Sequence, residues 1–157
     1  MAKYATMRPY GPAALRLCVG AVFLAHGVQK LFGVWDGTGL GGTAALITSF
    51  GLTPAYPLAV LAAVAEFGGG ALLVLGGLTR WVALALMVEV GVAVWKVNYL
   101  NGFFLTSHGG PGIEYRLVVI GALLCLMLTG PGAFSVDEWR NSSAEAMRAG
   151  RARARKV

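Results

Sequence analysis

The hydrophobic positions of this chain lie in four long runs, separated by connections that are polar or rich in glycine. A helix needs about 20 residues to cross the ~30 Å hydrocarbon core of a bilayer. We therefore predict an all-α fold, a four-transmembrane-helix bundle. The predicted spans cover residues 13–34, 55–77, 81–99 and 113–130.

The fourth span has the shortest apolar run. Its uninterrupted part, Leu117–Thr129, is too short to cross a bilayer by itself. We therefore predict that Glu114, Tyr115 and Arg116, which directly precede it, also lie at membrane depth.

The connection between the first two spans, residues 36–54, holds a short apolar stretch after several glycines. Residues 43–50 are too few to span, and the turn-forming residues Gly51 and Pro54 follow them. This pattern predicts a short interfacial or re-entrant helix between spans 1 and 2.

Lys and Arg residues indicate how the bundle is oriented, because cytoplasmic connections carry an excess of them. They occur before the first span, between the second and third, and after the fourth, and are absent from residues 34–54 and 97–112. Both termini are therefore predicted to be cytoplasmic. Residues 1–136 form the predicted membrane bundle, and residues 137–157 form a basic tail that sets topology or binds anionic membrane lipids.

Composition places the chain among integral membrane proteins. Of its 157 residues, 57% are hydrophobic and 13% are charged, against about 45–50% and about 25% in ordinary soluble domains. The basic tail gives no reason to invoke nucleic acid. Cys18 and Cys125 lie in the first and last apolar runs without a C-x-x-C motif. We interpret them as packing residues, with a disulfide as the alternative.

Ionisable side chains interrupt the predicted spans, where each unpaired charge costs about 2.5 to 3.5 kcal/mol on insertion scales. From the helical rise per residue, these side chains and those at the start of the fourth span reach the middle and outer half of the bundle. His26 and Lys30, four residues apart, share one helix face. Glu89 and Lys96, two turns apart, share another. The full set is His26, Lys30, Glu66, Glu89, Lys96, Glu114 and Arg116.

The charges of this set balance, since three cations accompany three carboxylates. Buried charges are tolerated when each has partners, which leaves His26 as the group expected to titrate near neutral pH. The alternative is structural, because polar contacts and small residues also hold membrane helices together. A haem held between His26 and His108 is disfavoured. No metal, haem or flavin motif is recognised.

The residues that carry these charges also carry a family resemblance. The run Leu15-Arg-Leu-x-x-Gly-x-x-Phe-Leu-x-His26-Gly-x-Gln-Lys30-Leu-Phe-Gly33 resembles the first-span signature of the DoxX family. Shorter matches bring the coverage to about residues 9–138. They are Glu66-Phe-Gly-Gly, Gly76-Gly-Leu-Thr-Arg80, Lys96 with Asn101-Gly-Phe-Phe, Gly112-x-Glu114-Tyr and Gly130-Pro-Gly-x-Phe-Ser-x-Asp137.

The resemblance implies a multi-pass protein of the bacterial cytoplasmic (inner) membrane. It links the chain to DoxD-type subunits of thiosulfate:quinone oxidoreductase and to membrane assemblies that handle thiols and oxidative stress. Partner subunits and oligomers are therefore expected.

Our first functional hypothesis is a quinone-linked oxidoreductase subunit. His26 would bond one quinone carbonyl and exchange a proton, with Lys30 or Lys96 near the second carbonyl. Glu66 and Glu89 would hold the cations and relay protons. Electrons would come from a bound substrate or a partner subunit. Further contacts to the ligand are expected from Gln29, Glu114 and Arg116, with Trp35, Phe103 and Phe104 as lids or ring contacts.

The second hypothesis is a non-enzymatic membrane scaffold, or a small-molecule or lipid-binding subunit of a larger complex. A third, a proton-coupled carrier, has relay groups but lacks a duplicated inverted half.

Overall fold

The computed structural model describes residues 9–98, 102–104 and 112–154, and the regular elements within these ranges are all helices. The all-α prediction is therefore confirmed at this level. A π-helical turn, Val94–Asn98, continues the fourth helix. The six α-helices are α1 (Tyr10–Phe32), α2 (Gly39–Ser49), α3 (Ala55–Leu75), α4 (Thr79–Ala93), α5 (Glu114–Thr129) and α6 (Val136–Ala154).

Four of the helices, α1, α3, α4 and α5, lie in the apolar runs, and α6 lies in the segment that was predicted to be a basic tail. Among the described helices, α1 with 23 residues and α3 with 21 residues are long and apolar enough to cross a membrane. α4 and α5 are shorter, with 15 and 16 residues. The short helix α2 occupies the connection in which one was predicted.

Glycine ends two of the helices by adopting a left-handed backbone. Gly33 follows α1 with φ 66°, and its N–H donates to the carbonyl of Gln29 at 3.0 Å. Gly76 follows α3 with φ 72°. A left-handed residue directly after a helix is the usual C-terminal cap, and glycine adopts it without a steric penalty.

α1 and α3 approach each other closely along a line of glycines. A methyl group at Gly27 would collide with the backbone of Phe67, and one at Gly70 with the backbone of Leu24. At Gly20 a methyl group would lie 2.9 Å from the backbone nitrogen of Val74. Small residues that let backbones approach are typical of helix packing in membranes.

Larger side chains form the core where α3, α4 and α5 meet. They are joined by Phe23 of α1, which is 5% exposed. The fully buried members of this core are Leu73, Ala83, Leu86, Leu123 and Leu126.

Arg16 of α1 is 1% exposed and lies at the end of the packed helices where α1 begins. Each of its hydrogen bonds is donated to the backbone carbonyl of a segment that is distant along the chain. Nη1 donates to two residues at the end of α3, and Nε and Nη2 donate to the segment between α5 and α6. The acceptors are Leu73 at 2.7 Å, Val74 at 2.6 Å, Pro131 at 3.0 Å, Ala133 at 3.4 Å and Phe134 at 3.2 Å.

Asp137 of α6 completes this end. Its two carboxylate oxygens accept from the backbone N–H groups of Leu78 and Thr79, each at 2.9 Å, and so cap the start of α4. We call Arg16, Asp137 and their backbone partners the Arg16 network. It joins the starts of α1, α4 and α6 to the ends of α3 and α5, so α1, α3, α4 and α5 alternate in direction.

Candidate functional site

A cavity of about 230 Å³ lies among α1, α3, α4 and α5. Its walls combine aliphatic and aromatic carbon with groups that form hydrogen bonds. Each of these four helices contributes lining residues, so the shape of the cavity depends on how all of them pack. The lining residues are Val22, Phe23, His26, Glu66, Val90, Gly112, Tyr115, Arg116 and Val119.

Glu66 is the most buried charged group of the cavity, with 7% of its surface exposed. Its Oε1 forms an ion pair with Nζ of Lys30 at 2.6 Å. Its Oε2 is buried and has no hydrogen-bond partner among the described residues. Because an unpaired buried acceptor is costly, this oxygen is available to a ligand, a water or a proton.

Glu89 of α4 is not among the lining residues, but it lies within electrostatic range of Glu66 and Lys30. Its Oε2 is also buried without a hydrogen-bond partner in the part of the chain that the structure describes. Arg116 interacts electrostatically with Glu66 across the cavity. Two carboxylates and two cations therefore share a small region, and the charges that they carry offset each other.

His26 stands at the edge of the cavity, where its side chain is exposed. It lies one turn before Lys30 on α1, so its imidazole reaches both the cavity and the surroundings. An imidazole in this position can accept or donate a hydrogen bond.

Tyr115 and Arg116 enter the cavity from the first turn of α5. The segment of residues 102–104 fixes that turn, because Gly102 and Phe103 accept from the N–H groups of Ile113 and Glu114 at 3.2 and 3.1 Å. A side chain at Gly112 would collide with the carbonyls of this segment. Gly112 is therefore required for α5 to start where it does.

The structure brings His26, Lys30, Glu66, Glu89 and Arg116 together, and it places the other predicted site residues elsewhere. Lys96 is exposed, with Nζ 4.3 Å from the centroid of the Trp95 ring. The prediction put Lys96 on the face of Glu89 by α-helical periodicity, but the π-helical turn Val94–Asn98 adds a residue to the turn and changes that phase.

Gln29 and Glu114 do not line the cavity either. Nε2 of Gln29 donates to the carbonyl of Trp35 at 3.0 Å, which holds the turn after α1. Glu114 is half-buried in the first turn of α5. The predicted lids are exposed, and their side chains are not among the lining groups: Trp35, Phe103 and Phe104.

Some predicted features lie outside the described residues. These are His108 and the basic residues Lys3, Arg8, Arg155 and Lys156.

Sequence reasoning missed Tyr115 and Gly112 as cavity residues and assigned no role to Arg16. Tyr115 was predicted to lie at membrane depth, and the match Gly112-x-Glu114-Tyr joined it to Gly112. That short motif was the available signal. Arg16 is part of the first-span match, but its role had no local signal, because its acceptors are carbonyls more than 50 residues away along the chain.

An all-helical fold in which ionisable groups lie between long apolar helices is typical of integral membrane proteins. The comparisons agree, because the DoxX family model matches residues 11–99. The chain belongs to the DoxX family of membrane proteins, and the resemblance seen in the sequence is confirmed.

Relatives cover most of the chain. It is 33% identical over 136 residues to an uncharacterized membrane protein of Mycobacterium tuberculosis, covering 82% of this chain and 80% of that protein. It is 32% identical over 133 residues to an uncharacterized protein of Haemophilus influenzae, covering 83% and 90%. It is 30% identical over 138 residues to the inner membrane protein YqjF of Escherichia coli, covering 83% and 92%. No solved structure matches the chain.

Proposed function

We propose that the chain is a multi-pass protein of the bacterial inner membrane with four spans, formed by α1, α3, α4 with its π-helical turn, and α5. The distribution of apolar side chains supports this. Alanine and glycine fill the tightest contacts, whereas large side chains face outward on all four helices. Examples are Leu17 at 47%, Leu61 at 65%, Val88 at 59% and Val118 at 71% exposed. Lipid is the solvent that suits such a surface.

Exposed aromatic side chains at both ends of the helices also support four spans. Tyr10, Trp81 and Trp139 lie at the Arg16 end, and Trp35, Tyr56 and Trp95 at the opposite end. Aromatic residues concentrate at the two membrane interfaces in this manner. With cytoplasmic termini, the Arg16 end faces the cytoplasm and the cavity lies toward the outer half.

The short α5 agrees with this arrangement. Its 16 residues extend about 24 Å, less than the ~30 Å hydrocarbon core. Its first turn, which carries Tyr115 and Arg116, therefore lies below the outer surface, and the cavity has polar groups at membrane depth.

The function that the cavity supports best is binding of a quinone-type ring by a quinone-linked oxidoreductase subunit. One observation carries this proposal. The cavity places three donors, His26, Tyr115 and Arg116, in the same space as the Glu66 oxygen that has no hydrogen-bond partner among the described residues. A quinone carbonyl accepts from such donors, and the hydroxyl of the reduced quinol donates to such a carboxylate.

The residues also suit the proton chemistry. A quinone that is reduced takes up electrons and protons in equal number. A partner subunit or a bound substrate supplies the electrons, and His26 at the cavity edge supplies protons. Glu66 and Glu89 relay protons inside, and Lys30 and Arg116 balance their charges when the carboxylates are ionised. The apolar walls exclude water from the ring.

Ligand titration of the purified protein tests the binding. A soluble short-chain quinone is titrated while tryptophan fluorescence is recorded. Arg116→Gln is expected to weaken binding about tenfold or more, the size of a lost hydrogen bond to a charged group. Lys96→Gln, which removes an equal charge outside the cavity, is the matched control and is expected to bind as the wild type does. Equal affinity of all three proteins contradicts the proposal.

A membrane assay tests the redox role. Membranes that contain the wild-type chain with its native partners are expected to reduce the added quinone faster than membranes with His26→Ala at equal protein level. If His26→Ala binds the quinone less tightly but the membranes reduce it at the same rate, the chain binds quinone without a redox role.

The second candidate is a non-enzymatic subunit that binds a lipid or small molecule, or that serves as a scaffold. The Lys30–Glu66 pair favours it, because a 2.6 Å ion pair between α1 and α3 can hold two helices together without any chemistry. For this candidate, variants of the pair change thermal stability and leave quinone binding and reduction unchanged.

A further inference from the structure

A second, almost wholly apolar space lies beside the cavity. It is a cleft of about 210 Å³ between α1 and α5. Leu15, Cys18 and Val19 form its α1 side, and Val118 and Ala122 form its α5 side. Among its lining groups, the Tyr115 hydroxyl and the Cys18 thiol are the only polar side-chain groups. The quinone proposal does not use this cleft.

The cleft adjoins the cavity. The two spaces share Val22, Phe23, Tyr115 and Val119 as lining residues. From these shared residues the cleft runs along α1 from Val22 to Leu15, which is about two helical turns or ~10 Å. The cavity therefore offers hydrogen-bonding groups, and the cleft beside it offers almost only hydrocarbon.

The packing of α1 explains why the cleft exists. Its glycine face lies directly against the backbone of α3, as the collisions expected at Gly27 and Gly70 indicate. The opposite face of α1 contacts α5 through side chains, and a gap remains between them. Val118 at the open side is 71% exposed, so in a bilayer the cleft opens laterally to the hydrocarbon.

We propose that this cleft holds the apolar chain of the ligand whose polar ring lies in the cavity. The ligand class is then an amphiphile with a ring-sized polar head and an isoprenoid or alkyl chain, which enters sideways from the membrane. This inference rests on the proposed binding of a quinone-type ring. It adds that the chain of the ligand has its own site on α1 and α5, running toward the Arg16 end.

The two native cysteines provide the test. Cys18 lines the cleft, and Cys125, which is also exposed, lies on α5 outside it. Purified wild-type protein is treated with N-ethylmaleimide, and the labelling rate of each cysteine is followed by mass spectrometry. The measurement is repeated with tetramethyl-benzoquinone, which has no chain, and with trimethyl-benzoquinone carrying a decyl chain; neither ring has a free position to which a thiol could add.

The decyl quinone is expected to slow labelling of Cys18 about tenfold, for a site occupied ~90% of the time, and to leave Cys125 unchanged. The quinone without a chain is expected to bind by fluorescence titration and to leave Cys18 unprotected. If the decyl quinone protects both cysteines equally, or if it binds and protects neither, the inference about the cleft is wrong. Neither outcome contradicts the proposed ring site in the cavity. If neither quinone binds, the proposed function fails first.

A variant that fills the cleft gives an independent measurement. Ala122→Phe is expected to weaken the decyl quinone about tenfold, as overpacking of an occupied site does, and to leave the quinone without a chain unaffected. Ala85→Phe adds the same bulk at an exposed position of α4 and is expected to change neither. If Ala122→Phe instead expels only a co-purified phospholipid and leaves both affinities unchanged, the cleft is a lipid site and the proposal is wrong.

Discussion

Glu66 has two carboxylate oxygens in different surroundings. One binds Lys30 at 2.6 Å, and the other is buried without a hydrogen-bond partner among the described residues. The ion pair lets a carboxylate exist at this depth, because removal of one partner would leave an uncompensated charge. The second oxygen is what makes the residue useful to a ligand. A structural role and a binding role therefore belong to the same side chain.

The ion pair predicts a coupling between Lys30 and Glu66. Glu66→Gln and Lys30→Met are each expected to lower the free energy of unfolding by about 1 to 3 kcal/mol, less than a fully buried pair, because Lys30 keeps 30% of its side chain exposed. The double variant is expected to lose less than the sum of both. Thermal unfolding in detergent measures this, with Lys96→Met as the control. Additive losses would mean that the pair contributes nothing.

Arg16 differs from the cavity cations because its partners are carbonyls. Its planar guanidinium serves five acceptors in three directions, and an ammonium group does not reproduce that geometry. Arg16→Lys is therefore expected to destabilise the protein by about 3 kcal/mol or more. Arg140→Lys, at an exposed position of α6, is expected to be neutral. Equal melting temperatures of the two variants would contradict the role given to the Arg16 network.

At the level of elements, α1 and α3 are in close backbone contact. Gly27→Ala is expected to destabilise the protein by about 2 kcal/mol or more, because the added methyl group meets backbone that cannot yield. Gly91→Ala and Gly121→Ala are controls with open space around the new methyl group. Thermal unfolding of the three variants checks this, and a Gly27→Ala protein as stable as its controls would mean that the helices are not in close contact.

The sequence predicted the positions of the helices well and the faces of their side chains less well. Apolar runs fix length and position, so α1, α3, α4 and α5 fall within a few residues of the predicted spans. The helix face on which a side chain lies is harder to predict, because one irregular turn changes it. The π-helical turn after α4 moved Lys96 away from Glu89, and such a turn has no clear sequence signature.

The candidate site was predictable in part for a similar reason. Charges in apolar runs identified His26, Lys30, Glu66, Glu89 and Arg116, because a charge is conspicuous there. Tyr115 was not conspicuous, since a tyrosine is common at the end of a span. The Arg16 network depends on the tertiary meeting of helix ends, which no local pattern encodes.

At the scale of the whole molecule, the alternation of helix direction predicts which segments share a side of the membrane. Single cysteines are placed at exposed positions in a Cys18→Ser, Cys125→Ser background. A membrane-impermeant maleimide is expected to label Gly41→Cys on α2 in intact cells. Ser142→Cys on α6 is expected to react only after the membrane is opened. Labelling of both from one side would contradict four spans.

We propose that the cavity binds a quinone-type molecule through His26, Arg116 and Glu66. The most direct measurement is gentle detergent extraction, followed by mass spectrometry of the small molecules that remain bound to the pure protein. A quinone is expected with the wild type and with Lys96→Gln, and is expected to be lost from Arg116→Gln at equal yield of folded protein. A wild-type protein without quinone, or equal quinone in all three proteins, would contradict the account.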